Sequence, residues 1–123
     1  MARILVIDDQ PHIRLVIQEL LAIDGHDVDV AENGKTALAM TEFNGYDLII
    51  TDIFMPEKDG IEVITALKKY LKQVKIIAMS GGTTNINADY LLKTAKIMGA
   101  SVVLHKPLDF DRLRNAVTEL LAG

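Results

Sequence analysis

Ile4-Leu5-Val6-Ile7-Asp8-Asp9-Gln10-Pro11 runs four aliphatic residues into two aspartates and a proline. An unbroken aliphatic run of this length is what a strand covered on both faces requires, and Pro11 suits a first helical turn, where its missing N–H is no loss. Ile13, Val16, Ile17, Leu20 and Leu21 then recur at i, i+3, i+4, i+7 and i+8, so one helical face is apolar while Arg14, Gln18 and Glu19 point elsewhere. A strand feeding directly into a helix is one βα unit. The same alternation returns along the chain and predicts strands over 4–7, 27–31, 48–51, 75–79 and 101–104. Helices are predicted over 34–43, 60–71 and 88–98, and a last one carries Leu113, Ala116, Val117, Leu120 and Leu121.

Five βα units imply a parallel sheet with helices on both faces, a doubly wound α/β fold. Asp27-Val28-Asp29-Val30 alternates, which marks an edge strand. Asp59 with Glu62 has the spacing of a capping box, and Gly25, Gly45 and Gly99 stand where helices end and a left-handed residue is cheapest. Polar residues from Gly81 to Asn87 form the one loose stretch.

Composition narrows the function. The 123 residues suit a single domain over 1–123 with no effector domain, and 50% hydrophobic residues supply one core. Zero cysteines exclude disulfides, thiolate metal sites and cysteine nucleophiles. Thirteen Lys and Arg against 17 Asp and Glu, with no basic stripe, argue against nucleic acid as a partner. Lys68, Lys69, Lys72 and Lys75 read as a solvated helix end. No aliphatic run approaches the roughly 18 residues of a membrane span, and no signal segment opens the chain, so no membrane contact and a cytoplasmic location are expected.

In open parallel sheets ligands bind beyond the carboxyl ends of the strands. Those ends carry Asp8 and Asp9, Asp52, Ser80, and His105-Lys106-Pro107. Three crowded carboxylates repel unless a cation neutralises them, and a hard divalent ion such as Mg2+ takes carboxylate oxygens together with a phosphate oxygen. Lys106 offers a point charge and Ser80 a hydrogen bond to phosphoryl oxygens, while Asp52, apart from the pair on a central strand, is the candidate nucleophile. Alone, Asp8 or Asp9 would be a helix cap, Ser80 a turn residue and Lys106 a solvated charge. Their convergence at four strand ends favours phosphoryl chemistry.

Together with Asp47-Leu48-Ile49-Ile50-Thr51-Asp52, Met55-Pro56, Asp59-Gly60, Ser80 and Lys106-Pro107, the opening run resembles the receiver domain of two-component response regulators, close to its stand-alone, chemotaxis-regulator-like members. The resemblance spans essentially the whole chain. It implies a flavodoxin-like (βα)5 fold with strand order 2-1-3-4-5. It further implies that Asp52 accepts a phosphoryl group from a histidine kinase or phosphotransfer protein. Asp9 would bind Mg2+ directly, Asp8 largely through water, with Asp52 and the main-chain carbonyl of Phe54 as further ligands, and Ser80 and Lys106 would hold phosphoryl oxygens. Signalling to a downstream protein target through altered contacts makes this a switch more than an enzyme. The chain departs from the family pattern at Val103, where an aromatic is usual, at Leu108, and in a longer segment over 80–99.

Rival readings share parts of this pattern. A flavodoxin-like cofactor module needs a Ser/Thr/Gly-rich phosphate loop where Asp8-Asp9-Gln10-Pro11 stands, and a haloacid-dehalogenase-type phosphatase needs an acid where Phe54 stands. No Walker sequence is present. The alternative kept is a non-phosphorylated receiver-like protein-interaction module.

Overall fold

The computed structural model describes residues 2–53, 60–70, 73–80, 93, 96 and 99–123. Five strands, β1 (Arg3–Ile7), β2 (Asp27–Ala31), β3 (Leu48–Asp52), β4 (Lys75–Ser80) and β5 (Val102–His105), form one parallel sheet in the order β2-β1-β3-β4-β5. Among the described residues four helices flank it: α1 (Pro11–Ile23), α2 (Gly34–Phe43), α3 (Gly60–Tyr70) and α4 (Phe110–Ala122). The predicted order and edge position of β2 hold. Lys93 and Lys96 are helical, and the rest of the helix expected over 88–98 lies outside the described residues, as do Phe54, Asp59 and the 81–87 loop.

The period of two along each strand divides the core. Leu5, Ile7, Ile49, Ile76 and Ala78 turn to one face and pack with Ala37 of α2 and Val63, Ile64 and Leu67 of α3. Ile4, Val6, Leu48, Ile50, Ile77 and Met79 turn to the other and pack with Ile17 and Leu21 of α1 and Leu113 and Val117 of α4. Both faces of the central strands are therefore apolar, which is why their sequences run unbroken. Val103 is half-buried against the first cluster, so it serves as core filling where an aromatic is usual.

Two local expectations are corrected. Gly25 and Gly99 have φ of 90° and 136°, but Gly45 has no positive φ. There the chain leaves α2 in extended conformation at Asn44, whose N–H caps Met40, so no left-handed residue is needed. Lys68 is not merely solvated: its Nζ donates to the Val74 carbonyl at 2.7 Å, and its stem lies under Gly99, where an added Cβ would meet Lys68 Cγ at 2.6 Å. Burial and nearby Lys75 push its pKa below the ordinary lysine value.

At the end of the sheet remote from the strands' carboxyl termini, Arg3 stacks over the Tyr46 ring at 5.2 Å and donates to Asp29 at 2.9 Å, and the Tyr46 hydroxyl donates to the same carboxylate at 2.7 Å. Burial, then the bond to Asp29, pushes the Tyr46 pKa up to about 12. A raised folded pKa means that this stabilisation is complete below the unfolded tyrosine value of about 10 and is lost as pH climbs through about 12. Ultraviolet titration should therefore find a late tyrosine step that is lost in Tyr46→Phe, and that variant should lose about 1.5–3 kcal/mol at neutral pH. A Tyr46→Phe titration curve that keeps the late step would refute the assignment.

Candidate functional site

The register of β1 on β3 pairs Ile7 with Thr51, which sets Asp8 beside Asp52 one residue further on. Asp8 is fully buried, Asp52 and Ser80 are buried and Asp9 is exposed. Ser80 ends β4 opposite His105 of β5, and the N–H of Lys106 donates to the Ser80 carbonyl at 2.8 Å. That main-chain bond ties the lysine to the hydroxyl residue. The fold thus brings Asp8, Asp9, Asp52, Ser80 and Lys106 to one edge, as the sequence expects.

Lys106 organises the charges. Its Nζ donates to Asp8 Oδ2 at 2.7 Å and to Asp52 Oδ2 at 2.9 Å, and it reaches Gln10 Oε1 at 3.4 Å. Its side chain is 9% exposed. Burial by itself disfavours the ammonium, but the bonds to Asp8 and Asp52 outweigh it and hold the pKa above the ordinary lysine value. The lysine is therefore a structural countercharge as well as a candidate phosphate contact, a role its sequence position does not reveal.

The helix-cap reading of the acidic pair fails on geometry. Gln10 is the N-cap of α1, and its side chain makes no capping bond. Asp8 Oδ1 instead accepts the Gln10 N–H at 2.9 Å, which fixes the carboxylate against its own turn. Asp8, Asp9 and Asp52 each present an oxygen within 4.8 Å of one another. Carboxylate oxygens alone, two of them buried, fit a hard divalent ion and no thiolate or imidazole metal. The cluster has the make-up of a metal site.

Two neighbours escaped the sequence reading. Arg14, assigned to the polar face of its helix, folds back so that Nη1 donates to the Asp8 carbonyl at 2.7 Å. Gln10 holds both Asp8, through its N–H, and Lys106, through its amide oxygen. The Arg14 N–H donates to the Gln10 carbonyl at 3.2 Å in the first turn of α1, which puts Arg14 over the turn carrying the acids.

A model of the response regulator receiver domain matches residues 4–118. The chain belongs to the response regulator receiver domain family. This receiver domain is 38% identical over 120 residues to the DNA-binding transcriptional regulator NtrC of Azospirillum brasilense, a match that covers 98% of this chain and 24% of that protein. It therefore spans about a quarter of that relative's length. Sporulation initiation phosphotransferase F of Bacillus subtilis is 31% identical over 119 residues, with 97% of this chain and 93% of the relative covered. The solved response regulator TrrA of Thermotoga maritima, in complex with Mg2+ and BeF, superposes with a TM-score of 0.85 at 37% identity over 98% of this chain and 99% of that one. Receiver domains are signalling modules of two-component systems, and this one has their sheet order and acidic cluster. No helix among the described residues is long and apolar enough to cross a membrane.

Proposed function

We propose that this receiver domain is a phosphoacceptor switch in which Asp52 takes a phosphoryl group from the phosphohistidine of a histidine kinase or phosphotransfer protein. The observation that carries this reading is the shared Lys106 ammonium, 2.7 Å from Asp8 and 2.9 Å from Asp52 in a cluster that also contains Asp9. It is a site of anionic oxygens held around a lysine ammonium. The Mg2+ and BeF of the TrrA complex and the phosphotransferase name of the Bacillus relative support the same chemistry.

An Asp52 carboxylate oxygen attacks phosphorus in line with the donor's imidazole nitrogen, the P–O bond forms as the P–N bond breaks, and the imidazole leaves with its electron pair. Lys106 meets the charge gathering on the phosphoryl oxygens, and Ser80 donates a hydrogen bond to another of them. Asp8, Asp9, Asp52 and the main-chain carbonyl of Phe54 would hold Mg2+, which when bound neutralises phosphoryl charge. Attack by water on phosphorus releases inorganic phosphate and returns the Asp52 carboxylate. Once phosphorylated, the domain signals to a downstream protein through altered contacts.

Incubation with Mg2+ and acetyl phosphate, read by intact mass spectrometry, should add one phosphoryl group, and none when the divalent ion is chelated. An unmodified mass under both conditions would overturn the proposal in favour of a purely interacting receiver.

A further inference from the structure

Asp8 is fully buried, and three of its polar contacts are fixed by named groups: Oδ1 by the Gln10 N–H at 2.9 Å, Oδ2 by Lys106 at 2.7 Å and the main-chain carbonyl by Arg14 Nη1 at 2.7 Å. The Asp8 N–H donates to the Ala31 carbonyl at 3.1 Å, which ties the same residue to the neighbouring strand. Arg14 is thus the link by which the body of α1 grips the turn bearing Asp8 and Asp9. The bond is short, charge-assisted and partly buried, the conditions under which an arginine orients a main chain well.

We propose that Arg14 is a positioning residue for the acidic pair: it holds the Asp8 main chain so that Asp8 and Asp9 present their oxygens to a divalent ion. The inference rests on the metal-dependent phosphoacceptor reading. A second role for the same guanidinium, simple countercharge to the three carboxylates, predicts the opposite sign. Removing a positive charge close to a cation site would tighten binding of a divalent ion by Coulomb's law. Removing a group that orients ligands weakens it, by about 10-fold at the low end of what such groups provide.

The test is Mn2+ affinity, read by electron paramagnetic resonance of free Mn2+, at a temperature where thermal unfolding shows each variant native. Arg14→Met, which keeps the aliphatic stem, should bind Mn2+ about 10-fold more weakly than the wild type. Arg14→Lys, which keeps a cationic donor without the planar fork, should recover most of that loss. Arg114→Met is the control: it removes the ion pair that Arg114 of α4 makes with Asp24 at the end of α1, and it should leave Mn2+ affinity unchanged. Affinity equal to or tighter than wild type in Arg14→Met, or equal weakening in Arg114→Met, would overturn the proposal. If Arg14→Met does not fold, Arg14→Gln carries the same two outcomes with an uncharged polar side chain. A wild type that binds no Mn2+ would overturn the metal reading itself, and this inference with it, whereas wild-type binding lost in Asp9→Asn leaves that reading standing whatever Arg14 does.

Discussion

Asp52→Asn is expected to take up no phosphoryl group from acetyl phosphate and Mg2+ while keeping the native fold. The substitution changes almost nothing in shape, but the neutral amide lacks the carboxylate's negative charge, and its oxygen is too weak a nucleophile to attack phosphorus. Asp52 ends β3, and Ile53 after it is tied through its N–H to the Met79 carbonyl at 2.9 Å, so the backbone that aims residue 52 is held by the sheet and not by the side chain. The amide oxygen can still accept from Lys106, and Asp8 remains to carry its charge. Thermal stability should therefore move by no more than about 1–2 kcal/mol, the net worth of one hydrogen bond. Intact mass spectrometry and a melting curve on the same preparation check both halves. A phosphoryl group retained by Asp52→Asn, mapped to Asp9 or elsewhere, would move the acceptor.

How far the sequence reaches is visible residue by residue. Strand positions were legible because burial on two faces leaves an unbroken aliphatic run, as in Ile4 to Ile7, and β2 declared itself an edge through the alternation of Asp27 and Asp29 with valines. Convergence of Asp8, Asp52, Ser80 and Lys106 followed from topology, since parallel strands put all their carboxyl ends on one side. Long side chains were less legible. Periodicity says which way a Cα–Cβ bond leaves a helix, but not where an arginine or lysine folds afterwards. Periodicity turns Arg14 and Gln18 away from the apolar face and leaves Lys68 on a solvated helix end, yet all three end on main-chain carbonyls, of Asp8, Val28 and Val74. Each stem can lie along the protein while its head satisfies an acceptor. Gly45 failed for a different reason. Glycine is tolerated at many helix exits, so its presence does not identify which exit turns left-handed.

Lys106→Met should be the most destabilising single change at the site, although a surface lysine beside a phosphate would be dispensable for folding. Its ammonium is bonded to two buried carboxylates, and removing one partner from a buried ion pair costs about 3–5 kcal/mol because the remaining charge is left uncompensated. For a domain of this size that corresponds to an unfolding midpoint lower by roughly 10 °C or more. Mg2+ should recover part of the loss in the variant and raise the wild-type midpoint less, because an ion that binds only the folded state stabilises it most where its carboxylates lack another cation. The pH dependence gives a second signature. Lys106 has its pKa raised in the folded state, so its contribution is complete below the ordinary lysine value and disappears as pH rises through the higher folded value. Wild type should show that alkaline loss, and Lys106→Met should keep only the part that Tyr46 contributes. Phosphoryl uptake by the variant, measured with Mg2+ present and below its midpoint, should fall by about 100-fold, in line with removal of one strong donor to transition-state charge. Melting curves with and without Mg2+ separate the two roles. A variant that melts with the wild type and accepts phosphate at the wild-type rate would return Lys106 to an ordinary solvated charge.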